Sequence, residues 1–265
     1  MNTTERLSRI QGMKQTGNRI VCLTAYDASF ARLLEQAGVD VILVGDSLGM
    51  VLQGGTDTLQ VTMQDMVYHT GMVRRGLQGT LLIADMPYNS YVDVSQALTN
   101  ARRLHDEAGA DMVKLEGGSE VLGQVRAITD AGIAVCGHLG LQPQSVHKYG
   151  GYKVQGRNSA DAERILADAV ALERAGAGMI VLECIPRALA ARITAALSIP
   201  TIGIGAGPDC GGQILVLYDV IGISGYIPKM ANDFLKQGGN IQSAVRQYAE
   251  AVRSGQFPTA AQSFD

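Results

Sequence analysis

Short apolar runs of strand length recur about eight times along the chain, each ending in a polar residue and a turn before a helical stretch. The clearest is Val41-Ile42-Leu43-Val44-Gly45-Asp46-Ser47-Leu48-Gly49-Met50, where a strand-like run breaks straight into Gly-Asp-Ser. These runs are apolar on both faces, which is the pattern of a parallel sheet covered by helices. The alternation predicts strands at 20–24, 41–45, 80–84, 111–115, 133–137, 179–182, 200–204 and 213–218. Helices are predicted at 3–14, from 27 to 37, and at 62–75, 94–108, 119–131, 161–175, 186–197 and 232–254. The punctuation agrees: Gly38, Gly109, Gly132 and Gly176 stop helices, Thr62 with Asp65 makes a capping box, and Pro186 stands at a helix start. Regular alternation of this count favours an α/β (β/α)8 TIM barrel over an open doubly wound sheet. No linker or composition shift interrupts it, so residues 1–265 are expected to form a single domain, with a short lead-in and a loose tail from Gln256.

Composition narrows the function. A net charge of −3 gives no basic excess for nucleic acid. No apolar run approaches the roughly 18 residues of a membrane span, and residues 1–15 lack the apolar core of a secretory leader. Cys22, Cys136, Cys184 and Cys210 form no CxxC pair and mostly lie in or beside apolar runs, which predicts reduced, buried thiols in a cytoplasm. Only 18% of residues are charged, which is compatible with surface covered by other subunits.

A parallel barrel gathers what stands at the carboxyl ends of its strands around one mouth. Here those residues are Asp46, Ser47, Asp85, Lys114, Glu116, His138, Glu183 and the run Gly203-Ile204-Gly205-Ala206-Gly207. Acids brought together repel and call for a cation, and carboxylate oxygens suit Mg²⁺, Ca²⁺ or Mn²⁺. A lone acid at a strand end also serves as a turn former or helix cap, and Asp85 before Met86-Pro87 fits that reading. Glu183 interrupts an apolar run, which suits either a general base or a structural partner for an arginine. Lys114 and Glu116 share one strand face and can pair. His138 fits a satisfied strand-end histidine as well as a catalyst, and His69, His105 and His147 carry no special signal. The glycine run allows close backbone approach to a ligand but equally serves tight turns. The irregular stretch 141–158 is long enough to suggest a lid or a subunit contact.

Several segments together resemble the ketopantoate hydroxymethyltransferase family. They are Thr24-Ala25-Tyr26-Asp27, Val44-Gly45-Asp46-Ser47-Leu48-Gly49-Met50, Val113-Lys114-Leu115-Glu116-Gly117-Gly118 and Cys136-Gly137-His138-Leu139-Gly140-Leu141 with Pro143-Gln144-Ser145. Gly150-Gly151-Tyr152-Lys153-Val154-Gln155-Gly156, Leu182-Glu183-Cys184 and Ile202-Gly203-Ile204-Gly205-Ala206-Gly207 follow in order. One departure stands out: the family's usual Asp-Gly-Gln is Gly211-Gly212-Gln213 here. The resemblance implies a barrel enzyme of pantothenate biosynthesis. It would move a hydroxymethyl group from 5,10-methylenetetrahydrofolate to 3-methyl-2-oxobutanoate, giving 2-dehydropantoate. It implies Mg²⁺ at Asp46, Asp85 and Glu116, keto-acid contacts from Asp46, Ser47, Asp85 and Lys114, and Glu183 as proton acceptor. It also implies a homodecamer. The rival is a Mg²⁺-dependent lyase or mutase of the phosphoenolpyruvate mutase and isocitrate lyase type. Such enzymes usually carry a Lys-Lys-Cys-Gly loop, which this chain lacks. A non-catalytic barrel would have no reason to keep every acid at the mouth.

Overall fold

The computed structural model describes residues 1–147 and 150–265. Eight parallel strands close on themselves in chain order: β1 (Ile20–Thr24), β2 (Val41–Val44), β3 (Leu81–Asp85), β4 (Met112–Glu116), β5 (Ala134–Gly140), β6 (Met179–Glu183), β7 (Thr201–Ile204) and β8 (Gly212–Leu215). The seam pairs β1 with β8, Ile20 opposite Gly212 and Leu23 opposite Leu215. The expected (β/α)8 barrel is therefore the fold.

Alternation along each strand divides the core in two. Ile20 and Cys22, Val41 and Leu43, Leu81 and Ile83, Met112, Cys136, Met179 and Val181, Ile202 and Ile214 form one buried cluster inside the barrel. The intervening residues, such as Val21, Ile42, Leu82, Val113 and Ile180, pack outward in a second cluster with helical residues such as Leu34, Val73, Val125 and Leu172. The inward series continue upward at a spacing of two: 81, 83, Asp85; 112, Lys114, Glu116; 136, His138; 179, 181, Glu183. The interior is thus apolar in its lower layers and charged in its top one. Ile10, from the first helix (Thr3–Gln15), joins the inner cluster from below.

Several local features depart from the sequence reading. Asp85, Glu116 and Glu183 are the last residues of their strands rather than the first of the turns, and His138 lies inside β5. The long last helix is two pieces, Leu235–Gly238 and Ile241–Ser254, because Gly239 turns left-handed at φ +72° and Asn240 then caps the second piece by accepting from the Ser243 N–H. The eighth strand ends at Leu215, and a short helix, Leu217–Val220, takes the rest of its expected length. The helix Val94–Arg102 continues as a single π turn, Arg103–Glu107. The tail from Gln256, expected loose, is held: Phe257 and Ser263 are buried, and the Arg187 N–H donates to the Phe264 carbonyl at 2.9 Å.

Candidate active site

Strand register explains which side chains meet. In a parallel pair, residues opposite each other point the same way. Asp85 lies opposite Lys114, Glu116 opposite His138, and Gly140 opposite Glu183. Lys114 Nζ accordingly sits 2.6 Å from Asp85 Oδ1 and 3.2 Å from His138 Nδ1. His138 Nδ1 is 3.4 Å from Glu116 Oε1, and its Nε2 is 3.2 Å from Glu183 Oε2, out of line for a full hydrogen bond. Asp46 joins from the turn after β2: its N–H donates to Asp85 Oδ2 at 3.1 Å. Ser47 Oγ lies 2.9 Å from the Tyr26 hydroxyl at the end of β1. The seven polar residues expected at the mouth, Asp46 through Glu183, therefore converge, and Lys114 pairs with Asp85 and His138 rather than with Glu116.

Glu183 touches this network only through His138 among the described residues. Its backbone is held by Gly140, which has φ +95° and passes so close that a Cβ there would lie 2.1 Å from the Glu183 carbonyl oxygen. No other residue type fits that crossing. The next residue, Cys184, adopts φ +47°, a conformation uncommon outside glycine and asparagine.

Charge is poorly balanced in this buried layer. Burial, with Asp85 and Glu116 close by, pushes the Asp46 carboxyl well above the ordinary range. Asp85 is also raised by burial, against the pull of Lys114. Burial alone would lower Lys114, but Asp85, Glu116 and Asp46 hold its ammonium well above the usual lysine range. Burial and Lys114 would likewise lower His138, yet contact with Glu116 and Glu183 lifts it to about 9. A protonated ring donates to Glu116 from Nδ1; a neutral ring accepts there from Lys114. When Nδ1 accepts from Lys114, the proton of the neutral ring sits on Nε2, toward Glu183.

Sequence reasoning missed Gln144 and Tyr91. Gln144 stands in the short 3-10 turn Pro143–Ser145 at the start of the irregular stretch, and its side chain reaches Asp46 Oδ2 at 2.8 Å. The available signals were the length of that stretch and the Pro143-Gln144-Ser145 match within it. It leaves the rim beside β6, where the Leu141 N–H donates to the Glu183 carbonyl, and returns there, where the Gln155 N–H donates to the Cys184 carbonyl. Between these points Tyr152 Oη comes within 3.9 Å of Met50 Sδ, on the far side of the mouth. Lys148 and Tyr149, within the same stretch, lie outside the described residues. The glycine run after β7 does not open onto a ligand space. A Cβ on Gly205 would meet the Phe264 ring at 2.9 Å, and one on Gly207 would meet Arg187 Cβ at 2.5 Å. Those glycines admit the chain's own side chains.

Oxygen donors, buried and short of positive charge, suit a hard divalent cation. Among the described residues no three of His, Cys, Asp and Glu converge as a ready-made cage. That is compatible with Mg²⁺, which keeps several waters and takes one or two carboxylates directly. The donor set therefore fits the ion in chemistry.

A family model described as ketopantoate hydroxymethyltransferase matches residues 4–260. A protein of Shewanella loihica (strain ATCC BAA-1088 / PV-4) named 3-methyl-2-oxobutanoate hydroxymethyltransferase is 58% identical over 97% of this chain and 97% of its own. One of the same name from Alkalilimnicola ehrlichii (strain ATCC BAA-1101 / DSM 17681 / MLHE-1) is 56% identical over 97% of this chain and 94% of its own. Among solved structures, phosphonopyruvate hydrolase in complex with oxalate and Mg²⁺ superposes with a TM-score of 0.62 at 15% identity, covering 97% of this chain and 93% of that one. A 2,3-dimethylmalate lyase of the PEP mutase/isocitrate lyase superfamily gives 0.61 at 17%, covering 95% and 98%. At such identities the structural likeness is one of fold alone.

Proposed function

We infer the activity from one premise: the chain belongs to the ketopantoate hydroxymethyltransferase family. It transfers a hydroxymethyl group from 5,10-methylenetetrahydrofolate to 3-methyl-2-oxobutanoate, yielding 2-dehydropantoate and tetrahydrofolate. The new C–C bond replaces a C–H bond at C3, and water supplies the hydroxyl oxygen. The observation that carries this reading is the division of the acids. Among the described residues, Asp46, Asp85 and Glu116 crowd around Lys114, while Glu183 stands apart with His138 as its one charged or polar side-chain neighbour.

That division suits proton abstraction next to a carbonyl. Asp46, Asp85 and Glu116 would hold Mg²⁺. When bound, such an ion supplies Lewis-acid stabilisation of an enolate. Lys114, charged and buried, faces the anionic keto acid and strengthens as its charge moves toward the carbonyl oxygen. Ser47, oriented by the Tyr26 hydroxyl, offers a hydrogen bond to the substrate carboxylate. Glu183 takes the C3 proton. His138, with Nε2 3.2 Å from Glu183 Oε2, keeps that side chain in place during the step.

The four cysteines are free and buried, as suits a cytoplasmic protein. A homodecamer would cover apolar side chains exposed here, among them Val92 (65%), Ile223 (59%) and Tyr226 (75%). The deciding experiment supplies 3-methyl-2-oxobutanoate, methylenetetrahydrofolate and Mg²⁺ and follows 2-dehydropantoate. Turnover there, with silence on phosphoenolpyruvate, is expected; the reverse would favour the lyase or mutase reading.

A further inference from the structure

We propose that Gln144 is a positioning residue of the acidic site, holding Asp46 and Glu116 in the orientation that a divalent cation needs. The proposal rests on the metal reading above. Asp46 follows β2 and Glu116 ends β4, so β3 with Asp85 lies between them. Gln144 reaches over from the segment after β5 and bridges the two outer acids. Its main-chain N–H donates to Glu116 Oε2 at 3.1 Å, and its side-chain Nε2 donates to Asp46 Oδ2 at 2.8 Å.

The rest of the amide is equally committed. A second N–H on Nε2 donates to the Met86 carbonyl at 3.0 Å, and Oε1 accepts from the Tyr91 hydroxyl at 2.6 Å. Tyr91 Oη in turn lies 3.4 Å from the Glu116 N–H. Turning the amide over would set its oxygen against the Asp46 carboxylate and the Met86 carbonyl, so only one orientation is stable. Gln144 is 6% exposed, which leaves little water to replace a lost contact.

The choice of an amide has a chemical reason. Two buried carboxylates repel unless each finds a donor. A lysine or arginine bridge would supply donors but place a positive charge where the cation must sit. A glutamate would add a further negative charge and lose both donors. A primary amide donates to Asp46 without altering the net charge, so the negative field that attracts the ion remains. Partners that orient metal-binding carboxylates typically govern affinity by about 10–100-fold.

The test is a calorimetric titration of Mg²⁺ into the full chain with no substrate present. Gln144→Met, similar in length but unable to donate, should weaken Mg²⁺ binding by about 10–100-fold. Tyr91→Phe should weaken it less. Because Tyr91 shares the Gln144 amide but also meets the Glu116 N–H at 3.4 Å, the two losses should be less than additive in the double variant. Mn²⁺ bound in place of Mg²⁺ should give an altered electron paramagnetic resonance spectrum in each folded variant, which a general loss of stability would not produce. Should Gln144→Met not fold, Tyr91→Phe tests the same link. Affinity within twofold of the parent in the folded variants would overturn the proposal. A parent chain that takes up no Mg²⁺ would overturn the metal reading, and the proposal with it.

Discussion

At the amino-terminal end of the barrel, Asp111 accepts from Arg6 at 2.9 and 2.5 Å and lies 3.3 Å from Arg74. It also accepts from the Thr3 hydroxyl and the Leu82 N–H. Asp40 is flanked by Arg9 at 3.1 Å and Arg253 at 3.2 Å and accepts from the Val21 N–H. At the carboxyl end, among the described residues, Asp46, Asp85 and Glu116 share Lys114, and His138 stands between Glu116 and Glu183. Both ends bury their acids. The lower end surrounds them with arginines and backbone donors, so they tie the first helix to the strands. The upper end leaves them underpaired, and burial and mutual repulsion raise Asp46 and Asp85. Unrelieved repulsion of this kind is what a bound cation would relieve.

The largest effect should come from Glu183→Gln. Loss of a general base costs about 10²–10⁴-fold in rate. The variant should still bind Mg²⁺ and keto acid but lose deuterium exchange at substrate C3. Normal exchange would remove Glu183 from the role of base and weaken the contrast between the two ends.

Next comes Asp111→Ala, which leaves Arg6 and Arg74 without their shared partner. Breaking a buried ion pair from one side costs about 3–5 kcal/mol. Chemical denaturation should show that loss, with KM and Mg²⁺ affinity of the folded fraction unchanged. A kinetic defect without lost stability would mean that the lower end is not merely structural.

The smallest effect has the opposite sign. Asp46→Asn removes one of three crowded carboxylates, so the metal-free chain should gain about 1–2 kcal/mol while Mg²⁺ affinity falls. The sign follows from linkage. A carboxyl raised on folding contributes stability that is complete below its ordinary value of 3.8 and is lost as pH rises through the folded value. Between about pH 4 and 8 the thermal stability of the metal-free parent should therefore fall relative to that of Asp46→Asn. A difference between parent and variant that stays constant over this range would contradict the assignment of strain to Asp46.

Most of the barrel was legible because burial on two faces leaves a local mark. Each strand announces itself as an apolar run, and most helix stops as a glycine. Errors fell where one residue's backbone decided the outcome, as at Gly239, or where a distant contact held a segment with no periodicity, as for the Phe264 carbonyl on Arg187. The site was partly legible for the same reason. Asp85, Lys114, Glu116, His138 and Glu183 continue the inward parity of their strands, so a spacing of two already placed them on one surface.

Spacing could not decide which of them meet. Lys114 and Glu116, on one strand face, looked like partners, yet register sets Lys114 against Asp85 on the neighbouring strand. His138 looked neutral in the sequence because its meaning depends on Glu116 and Glu183, which arrive from β4 and β6. Gln144 stood in a segment shared with the family but carried no sign of its role, since an amide in an irregular stretch has no pattern of its own. The order of residues determined the barrel, the end at which polar groups gather and, through the family match, the reaction. Only closure of the sheet, which brings β2, β3 and β4 side by side and folds residue 144 back across them, decided which acids crowd together and which one stands apart.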